Sequence, residues 1–338
     1  MKIKIGKKLI GENSPTYIIA EGGINHNGNI KIAKEIIKNA TNAGANAVKF
    51  QTFKAEDLTS KHSKYYKLFK KLELGNEEFS EIFDYGKSIG TTIFSTPFSK
   101  NAVDFLQKQK VSAFKIASGD LTNLPLIKYA SSKNKTMIIS TGMSTIKEVE
   151  ETVNEIKKTK NKKIVLLHSV SAYPTPYEEV NLQAIISLKK KFSLPVGFSD
   201  NGSNNLVPVI ATSLGASVIE KHFTINKNLK GPDHKFSANP KELAEMIKNI
   251  RDVETMLGDG LKTYQKSEKG NRIHARRSIT ANEDISKNVA ITKDMISLKR
   301  PATGIEPKYF SRIIGKHTIK KIKENDSIKW KHMKNRKQ

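Results

Sequence analysis

Two lysines interrupt apolar segments that otherwise have the composition of buried β-strands. Lys49 lies in Ala-Val-Lys-Phe-Gln and Lys115 lies in Ala-Phe-Lys-Ile-Ala. A buried ammonium group is costly unless it is paired with a carboxylate or binds an anion. The two lysines could therefore form structural ion pairs with Glu21, Asp120 or Glu220. The alternative is a clamp for a phosphate or carboxylate group, because lysine acts as a point charge that suits phosphate.

Other polar residues end apolar segments of the same kind. Thr96, Ser118 and Ser199 each close a strand-like run and carry a hydroxyl group that can support a bound anion. His222 ends another run, directly after Glu220 and Lys221. A lone histidine in an apolar run is usually a satisfied core residue. Its position among carboxylates at the end of a strand favours a metal-binding or acid-base role instead.

The elements that must position these residues alternate between short apolar runs and longer amphipathic stretches. The runs are nearly continuous, as in strands that are buried on both faces. The predicted strands are 17–21, 47–53, 92–96, 113–117, 136–141, 163–168, 195–199 and 217–223. The predicted helices are 30–43, 77–89, 100–109, 124–132, 146–158, 182–191, 205–214 and 240–257. Eight such units predict a (β/α)8 TIM barrel, with a doubly wound open sheet as the alternative.

The predicted barrel would place the polar strand ends together, because catalytic residues of this fold lie at the carboxyl ends of the strands.

After residue 258 the alternation of apolar runs and amphipathic stretches ends. We expect a polar linker at 259–274, a small β-rich domain at 275–333 with short strands and frequent turns, and a basic tail at 334–338.

Composition narrows the function classes. The 338 residues contain no cysteine, so disulfides, thiolate nucleophiles and zinc-thiolate sites are excluded. No apolar run is long enough to predict a membrane span, and a cytoplasmic protein without membrane contact is expected. The net charge of +26 could attract nucleic acid. However, the basic residues are spread along the chain without interleaved aromatic residues, which favours a lysine-rich surface and no nucleic-acid partner.

Several motifs, in order along nearly the whole chain, resemble the sialic acid synthase family. The trailing Lys-Arg-Pro-Ala-Thr-Gly-Ile (299–305) resembles the antifreeze-like, or SAF, domain of that family, which adopts a β-clip fold. The barrel motifs are Ile-Ala-Glu-Gly-Gly-Ile-Asn-His-Asn-Gly (19–28), Val-Lys-Phe-Gln-Thr-Phe (48–53), Ser-Thr-Pro-Phe (95–98), Phe-Lys-Ile-Ala-Ser-Gly (114–119), Tyr-Pro-Thr-Pro (173–176), Glu-Lys-His-Phe-Thr (220–224) and Gly-Pro-Asp-His-Lys (231–235).

The resemblance implies a synthase that joins phosphoenolpyruvate to the aldehyde of an N-acetylated amino sugar and releases phosphate by C–O cleavage. The acceptor would be N-acetylmannosamine or a 2,4-diacetamido-trideoxyhexose, and the product an N-acetylneuraminate or legionaminate type of sugar. The resemblance also implies a domain-swapped homodimer, in which the small domain of one chain reaches the active site of its partner. Arg300 of one chain would then contact the acylamino group of the sugar in the partner's site. The resemblance implies Lys49, Thr96, Lys115, Ser118 and Ser199 for phosphoenolpyruvate and Gln51, Tyr173 and Asp233 for the sugar, with Ser171 as a further substrate-binding residue. The implied catalytic residues are Glu21, Lys49, Lys115 and Asp120.

Two positions depart from the family pattern. The family usually has two histidine metal ligands, and here Asn201 stands in place of the first while His222 matches the second. The implied cofactor is a divalent metal ion, Mn²⁺ first, with Mg²⁺ or Co²⁺ as alternatives. An amide oxygen suits hard divalent ions. Asp120 stands where the family usually has a glutamate, so the reach of its carboxylate is shorter by one methylene.

These departures leave two alternatives to the active sialic acid synthase. One is a catalytically impaired barrel that binds sugars or acidic glycans. The other is a different phosphoenolpyruvate-aldose synthase that makes seven- or eight-carbon sugar acids, although the trailing domain with Arg300 argues against it.

Overall fold

The structure is a computed structural model that describes residues 1–334. The predicted basic tail, 334–338, lies outside the described residues except for Lys334. The chain divides into two compact units, the first being Met1–Gly258 and the second beginning at Asp259. Each unit has its own hydrophobic core.

Eight parallel strands of the first unit close into a barrel. Each strand pairs with its neighbours along the chain, and the last strand pairs with the first. The predicted TIM barrel is therefore confirmed, and the alternative of an open doubly wound sheet is wrong. The strands are β3 (Tyr17–Gly23), β4 (Ala47–Thr52), β5 (Thr92–Pro97), β6 (Ala113–Ile116), β7 (Thr136–Ser140), β8 (Ile164–Ser169), β9 (Val196–Asp200) and β10 (Val218–His222).

Helices surround the barrel, and every helix predicted from the sequence is present. Two short helices between β4 and β5 were not predicted. No helix within residues 1–334 is long and apolar enough to cross a lipid bilayer. The helices are α1 (Ile30–Asn42), α2 (Ala55–Leu58), α3 (Tyr66–Leu72), α4 (Asn76–Ser88), α5 (Lys100–Lys108), α6 (Leu124–Ser132), α7 (Ile146–Lys158), α8 (Gln183–Phe192), α9 (Leu206–Ser213) and α10 (Pro240–Leu257).

Local sequence explains where the longer helices begin. Thr145 accepts a hydrogen bond from the backbone of Glu148, whose side chain accepts one from the backbone of Thr145, so the two form a capping box at the start of α7. Asn239 and Glu242 form the same arrangement at α10, where Pro240 occupies the first turn. Val149, Val153 and Ile156 of α7 recur at helical spacing and are buried against the barrel.

A hairpin precedes the barrel and lies against its amino-terminal end. Strands β1 (Lys2–Ile5) and β2 (Lys8–Gly11) pair antiparallel and bury Ile3, Ile5 and Ile10. The hydroxyl of Thr136, at the start of β7, donates a hydrogen bond to the carbonyl of Lys4. The carboxyl ends of the strands are at the opposite end of the barrel.

The second unit is a small fold with short antiparallel pairings. It contains α11 (Lys269–His274), β11 (Ser278–Ala281), β12 (Ile296–Lys299) and α12 (Phe310–Ile313), and β11 pairs with β12. Isolated bridges such as Ile285 with Ile322 add further pairing. A core of mostly isoleucine residues holds these elements together. Helix α11 lies in the segment that we expected to be a linker.

Candidate active site

A cavity of 360 Å³ lies at the carboxyl ends of the barrel strands. All of the predicted site residues except Asp120 and Arg300 contribute to its lining. The predicted residues that line it are Glu21, Lys49, Gln51, Thr96, Lys115, Ser118, Ser171, Tyr173, Ser199, Asn201, His222 and Asp233. The strand ends that looked unusual in the sequence therefore converge on one site.

Lys49 and Lys115 meet two carboxylates inside this cavity. The Nζ of Lys49 lies 2.6 Å from Oε2 of Glu21 and 3.9 Å from Oε2 of Glu220. The Nζ of Lys115 lies 3.5 Å from Oε1 of Glu220. Both lysines are only 3% exposed. The ion pairs that the sequence offered as one alternative are thus formed within one buried group, which we call the charge tetrad (Glu21, Lys49, Lys115, Glu220). Binding of an anion by the two lysines stays a prediction.

Burial and neighbouring charges shift the pKa values of the tetrad in different directions. Burial raises the pKa of Glu21, although Lys49 partly offsets the effect. Burial also opposes ionisation of Glu220, but Lys115, Lys49 and the Ser199 hydroxyl outweigh it, so its pKa is lowered. For Lys115, burial lowers the pKa to about 8, and Glu220 offsets this only in part. Glu21 is the carboxyl group best suited to carry a proton, and Lys115 is the ammonium group that loses one most readily.

Hydroxyl groups surround the two ammonium groups. Lys49 donates a hydrogen bond to Oγ1 of Thr96 at 3.3 Å, and Lys115 donates one to Oγ of Ser140 at 2.6 Å. The Oγ of Ser199 donates to Oε1 of Glu220 at 3.0 Å. Ser140 was not among the predicted site residues, although it ends β7 as the predicted residues end their strands. These hydroxyls can exchange their present partners for the oxygens of a bound anion.

A glycine brings two further hydroxyls close together. The amide of Gly142 donates to Oγ of Ser118 at 3.1 Å. A Cβ at Gly142 would lie 2.5 Å from Oγ of Ser171 and 2.8 Å from Oγ of Ser118, so no larger residue fits without displacing them. Gly142 thus allows the chain after β7 to approach the loops after β6 and β8, and both serines reach the cavity.

Two aromatic rings pack against the ring of His222. The His222 ring lies 5.0 Å from the Phe236 ring and 5.8 Å from the Tyr173 ring, both in edge-to-face contact. Tyr173 and Phe236 also contact each other, with their centroids 5.3 Å apart. The contact of Phe236 with His222 has no local signal in the sequence, because Phe236 follows β10 in a loop whose path depends on tertiary packing.

His222 also offers an atom suited to a metal ion. Burial lowers its pKa to about 4, so the imidazole is neutral at pH 7. Its Nδ1 is buried and has no hydrogen-bond partner among the described residues, and Oδ2 of Asp233 lies 3.8 Å away. A neutral imidazole nitrogen and a carboxylate oxygen would suit a divalent ion held by His222 and Asp233. Within residues 1–334, however, no three acidic or histidine side chains form a complete cluster.

Asn201 lines the same cavity, at the end of β9. Its Nδ2 donates to the carbonyl of Val170 at 2.7 Å and to Oγ of Ser169 at 3.4 Å. The amide therefore links the loop after β9 to the loop after β8. Its role as a metal ligand stays a prediction.

Two predicted site residues lie outside the cavity lining. Asp120 is in a single 3₁₀ turn after β6, where its carboxylate accepts a hydrogen bond from Asn123 at 3.1 Å. The proposed ion pair of Asp120 with Lys49 or Lys115 is not formed, because Glu21 and Glu220 occupy that role. Arg300 belongs to the second unit, directly after β12. The catalytic role of Asp120 and the sugar contact of Arg300 stay predictions.

Comparison with protein families decides the identity of this barrel. The profile of the NeuB family matches residues 36–262, and the profile of the SAF domain matches residues 276–334. The chain belongs to the NeuB family. It is an enzyme of the NeuB type, and the expected resemblance to sialic acid synthases is confirmed.

Relatives within the NeuB family match the chain over almost its full length. It is 51% identical over 329 residues to an uncharacterized protein of Methanocaldococcus jannaschii, covering 97% of this chain and 98% of the relative. It is 40% identical over 346 residues to the N,N'-diacetyllegionaminic acid synthase of Legionella pneumophila, covering 97% of each. A crystal structure of N-acetylneuraminic acid synthetase from Leptospira borgpetersenii, in complex with citrate, is similar with a TM-score of 0.77 and 36% identity, covering 80% of this chain and 95% of that one.

Proposed function

We propose that this NeuB-family enzyme condenses phosphoenolpyruvate with the open-chain aldehyde of an N-acetylated amino sugar and releases phosphate. The observation that carries the proposal is the charge tetrad, in which two buried lysines from separate strands meet at the mouth of the barrel. The names of the relatives from Legionella and Leptospira support a nine-carbon acidic sugar as the product.

The tetrad can bind a small, highly charged donor. When all four groups are ionised, the two lysines and two glutamates sum to zero. Protonation of Glu21, whose pKa burial raises, leaves a net positive charge that attracts the donor. Buried ion pairs of this kind contribute little net stability, so a phosphate or carboxylate group can replace a glutamate as the partner of a lysine at small cost. We assign the donor to Lys49, Lys115, Thr96, Ser118 and Ser199.

Four other residues of the cavity lining, which we call the acceptor side (Gln51, Ser171, Tyr173, Asp233), suit the acceptor. They line the cavity with amide, hydroxyl and carboxylate groups that can bind the hydroxyls of a sugar. The exposed ring of Tyr173 adds an apolar surface for an acyl methyl group. We therefore propose N-acetylmannosamine or a 2,4-diacetamido-trideoxyhexose as the acceptor, of the neuraminate and legionaminate type.

The reaction balances with Glu21 as a proton carrier. C3 of phosphoenolpyruvate forms a bond to the aldehyde carbon, and the aldehyde oxygen takes a proton from the Glu21 carboxyl group. Water then adds to C2 and returns a proton to Glu21. The bond between C2 and the bridging oxygen then breaks, its electron pair leaves with the phosphate, and the C2 hydroxyl gives its proton to that phosphate as C2 becomes a ketone carbonyl. The structure favours Glu21 for this role because its carboxyl group is buried beside Lys49, accepts a hydrogen bond from Gln51 and has a raised pKa.

A divalent metal, Mn²⁺ by preference, fits beside this site with His222 and Asp233 as ligands and Asn201 as a further candidate. When bound it would supply Lewis acidity toward the aldehyde oxygen. The protein residues hold the two substrates in reacting geometry and exclude bulk solvent from the site.

We further propose that the active form is a domain-swapped homodimer in the cytoplasm. In this arrangement Arg300 of the partner subunit contacts the acylamino group of the sugar. The family resemblance supports this assignment, and the absence of cysteine is in keeping with the proposed location.

A phosphate-release assay tests the proposal. Purified protein is incubated with phosphoenolpyruvate and a panel of N-acylated hexosamines, with and without Mn²⁺. We expect release that depends on the acceptor and is strongest with N-acetylmannosamine or a 2,4-diacetamido-trideoxyhexose. Release only with four- or five-carbon sugar phosphates would favour a different aldose synthase. No release with any acceptor would favour a barrel that binds sugars or acidic glycans without catalysis.

A further inference from the structure

One buried lysine of the barrel takes no part in the cavity. Lys221 lies on β10 between Glu220 and His222, whose side chains line the cavity. Because successive side chains of a strand point to opposite faces, Lys221 projects away from the cavity toward the surrounding layer. Its residue is only 1% exposed. A buried ammonium group outside the reaction site requires a structural explanation.

The contacts of Lys221 supply that explanation. Its Nζ lies 2.5 Å from Oδ2 of Asp200, 2.6 Å from the carbonyl of Gly202 and 3.1 Å from the carbonyl of Asn204. The other oxygen of Asp200 accepts a hydrogen bond from the amide of Gly202 at 2.9 Å. The three protons of one ammonium group therefore hold both the end of β9 and the loop that follows it, residues 201–205.

This loop in turn holds a second loop at the barrel mouth. Asn201 accepts a backbone hydrogen bond from the amide of Thr175 at 3.3 Å, and its side chain donates to the carbonyl of Val170 at 2.7 Å. Residues 170–175 include Ser171 and Tyr173, which line the cavity. Lys221 thus fixes Asp200 and Gly202, the chain neighbours of Asn201, and Asn201 in turn is hydrogen-bonded to the loop after β8.

We propose that Lys221 is a positioning residue that fixes the acceptor side of the active site through these two loops. The inference rests on the proposed function for the identity of the acceptor. Without the ammonium group, the carbonyls of Gly202 and Asn204 would lose a buried donor, and the loop would have to open toward water to satisfy them. The two donor lysines would keep their geometry, because Lys49 and Lys115 lie on β4 and β6, which pair with none of β8, β9 and β10.

Hydrogen exchange of the substrate-free protein tests the positioning directly. The variant is Lys221→Met, which keeps the length of the side chain and removes its donors. The matched control is Asn161→Ala. Asn161 lies just before β8, at the amino-terminal end of the barrel, and its buried side chain donates to the carbonyls of Ser131 and Lys135. We expect peptides covering 170–175 and 200–205 to exchange at least 10-fold faster in Lys221→Met and to remain unchanged in Asn161→Ala. Unchanged exchange in Lys221→Met would overturn the proposal.

Steady-state kinetics provide the functional readout. In Lys221→Met we expect the KM for the sugar to rise about 10-fold while the KM for phosphoenolpyruvate stays within twofold. Equal increases in both constants would overturn the inference, because they would indicate a general loss of structure. If Lys221→Met does not fold, Asp200→Asn replaces it in both experiments, with the same outcomes expected in weaker form. If the wild-type protein turns over no acceptor, the proposed function fails while hydrogen exchange still decides the role of Lys221.

Discussion

Lys115 is the residue whose removal tests the anion site most sharply. The substitution Lys115→Met keeps an unbranched side chain of similar length and removes one of the two cations in the charge tetrad. Lys49 remains paired with Glu21 at 2.6 Å, while Glu220 keeps only the more distant Lys49 at 3.9 Å and the Ser199 hydroxyl at 3.0 Å. The change therefore affects the donor site without removing every partner of a buried carboxylate.

The expected magnitude follows from the burial of this group. Two unit charges about 4 Å apart interact by about 4 kcal/mol at an effective dielectric constant of about 20. Since each 1.4 kcal/mol corresponds to a factor of about ten, kcat/KM for phosphoenolpyruvate should fall roughly 1,000-fold. The fold should persist, because removing Lys115 also removes the cost of burying its ammonium group, and Glu220 can take up a proton.

Phosphate release at varied phosphoenolpyruvate concentration measures this effect, and thermal unfolding of the same samples checks the fold. The matched control is Lys147→Met, which removes an exposed lysine on α7 and leaves the cavity untouched. We expect the control to match the wild type in both measurements.

Near wild-type kcat/KM in Lys115→Met would refute the anion-site assignment. A selective rise in the KM for the sugar, with the donor KM unchanged, would also contradict it, because Lys115 would then belong to the acceptor side. Loss of the cooperative unfolding transition would instead show that the ion pair with Glu220 is needed for the fold.

Three further predictions follow from the site. Because burial lowers the pKa of Lys115 to about 8, and the protonated form binds the donor, kcat/KM for phosphoenolpyruvate should fall as the pH rises through about 8; a flat profile to pH 9.5 would contradict this. Asn201→His should tighten Mn²⁺ binding about 10-fold or more in a calorimetric titration, because it adds a second imidazole near His222, whereas an unchanged titration would mean that residue 201 does not face the ion. If Arg300 acts across a dimer, mixing and reassembling Arg300→Ala with Lys115→Met should restore about a quarter of wild-type activity, since one site of each mixed dimer is intact, and no recovery would exclude action from the partner.

The sequence predicted the barrel well because its signal is local. Strands buried on both faces appear as continuous apolar runs, and all eight predicted runs became barrel strands with ends within two residues of the prediction. Helices α2 and α3 were missed because they are only four and seven residues long, too short to show a clear helical period.

Site residues at strand ends could be predicted from the sequence, whereas the positions of residues in turns and loops could not. Lys49, Lys115 and His222 are on strands, and the barrel brings strand ends together. Asp120 lies in a turn after β6, and neither its spacing nor its type shows where such a turn directs a carboxylate. Phe236 joins His222 through the packing of a loop, which leaves no local pattern.

The sequence also could not choose the partners of the lysines. Glu21, Asp120 and Glu220 were equally acceptable by residue type, and only the closure of β10 against β3 brings Glu220 and Glu21 to the same two ammonium groups. The role of Lys221 was hidden for the same reason, because the carbonyls that it holds are fixed by the path of the loop after β9.

The most direct test of the central claim is to follow the bridging oxygen of phosphoenolpyruvate. Donor labelled with ¹⁸O between C2 and phosphorus is incubated with the protein, Mn²⁺ and the best acceptor of the panel, and the released phosphate is examined by ³¹P NMR. We predict acceptor-dependent phosphate that retains the label, because the bond between C2 and oxygen breaks. Unlabelled phosphate, or label in the sugar product, would contradict the account.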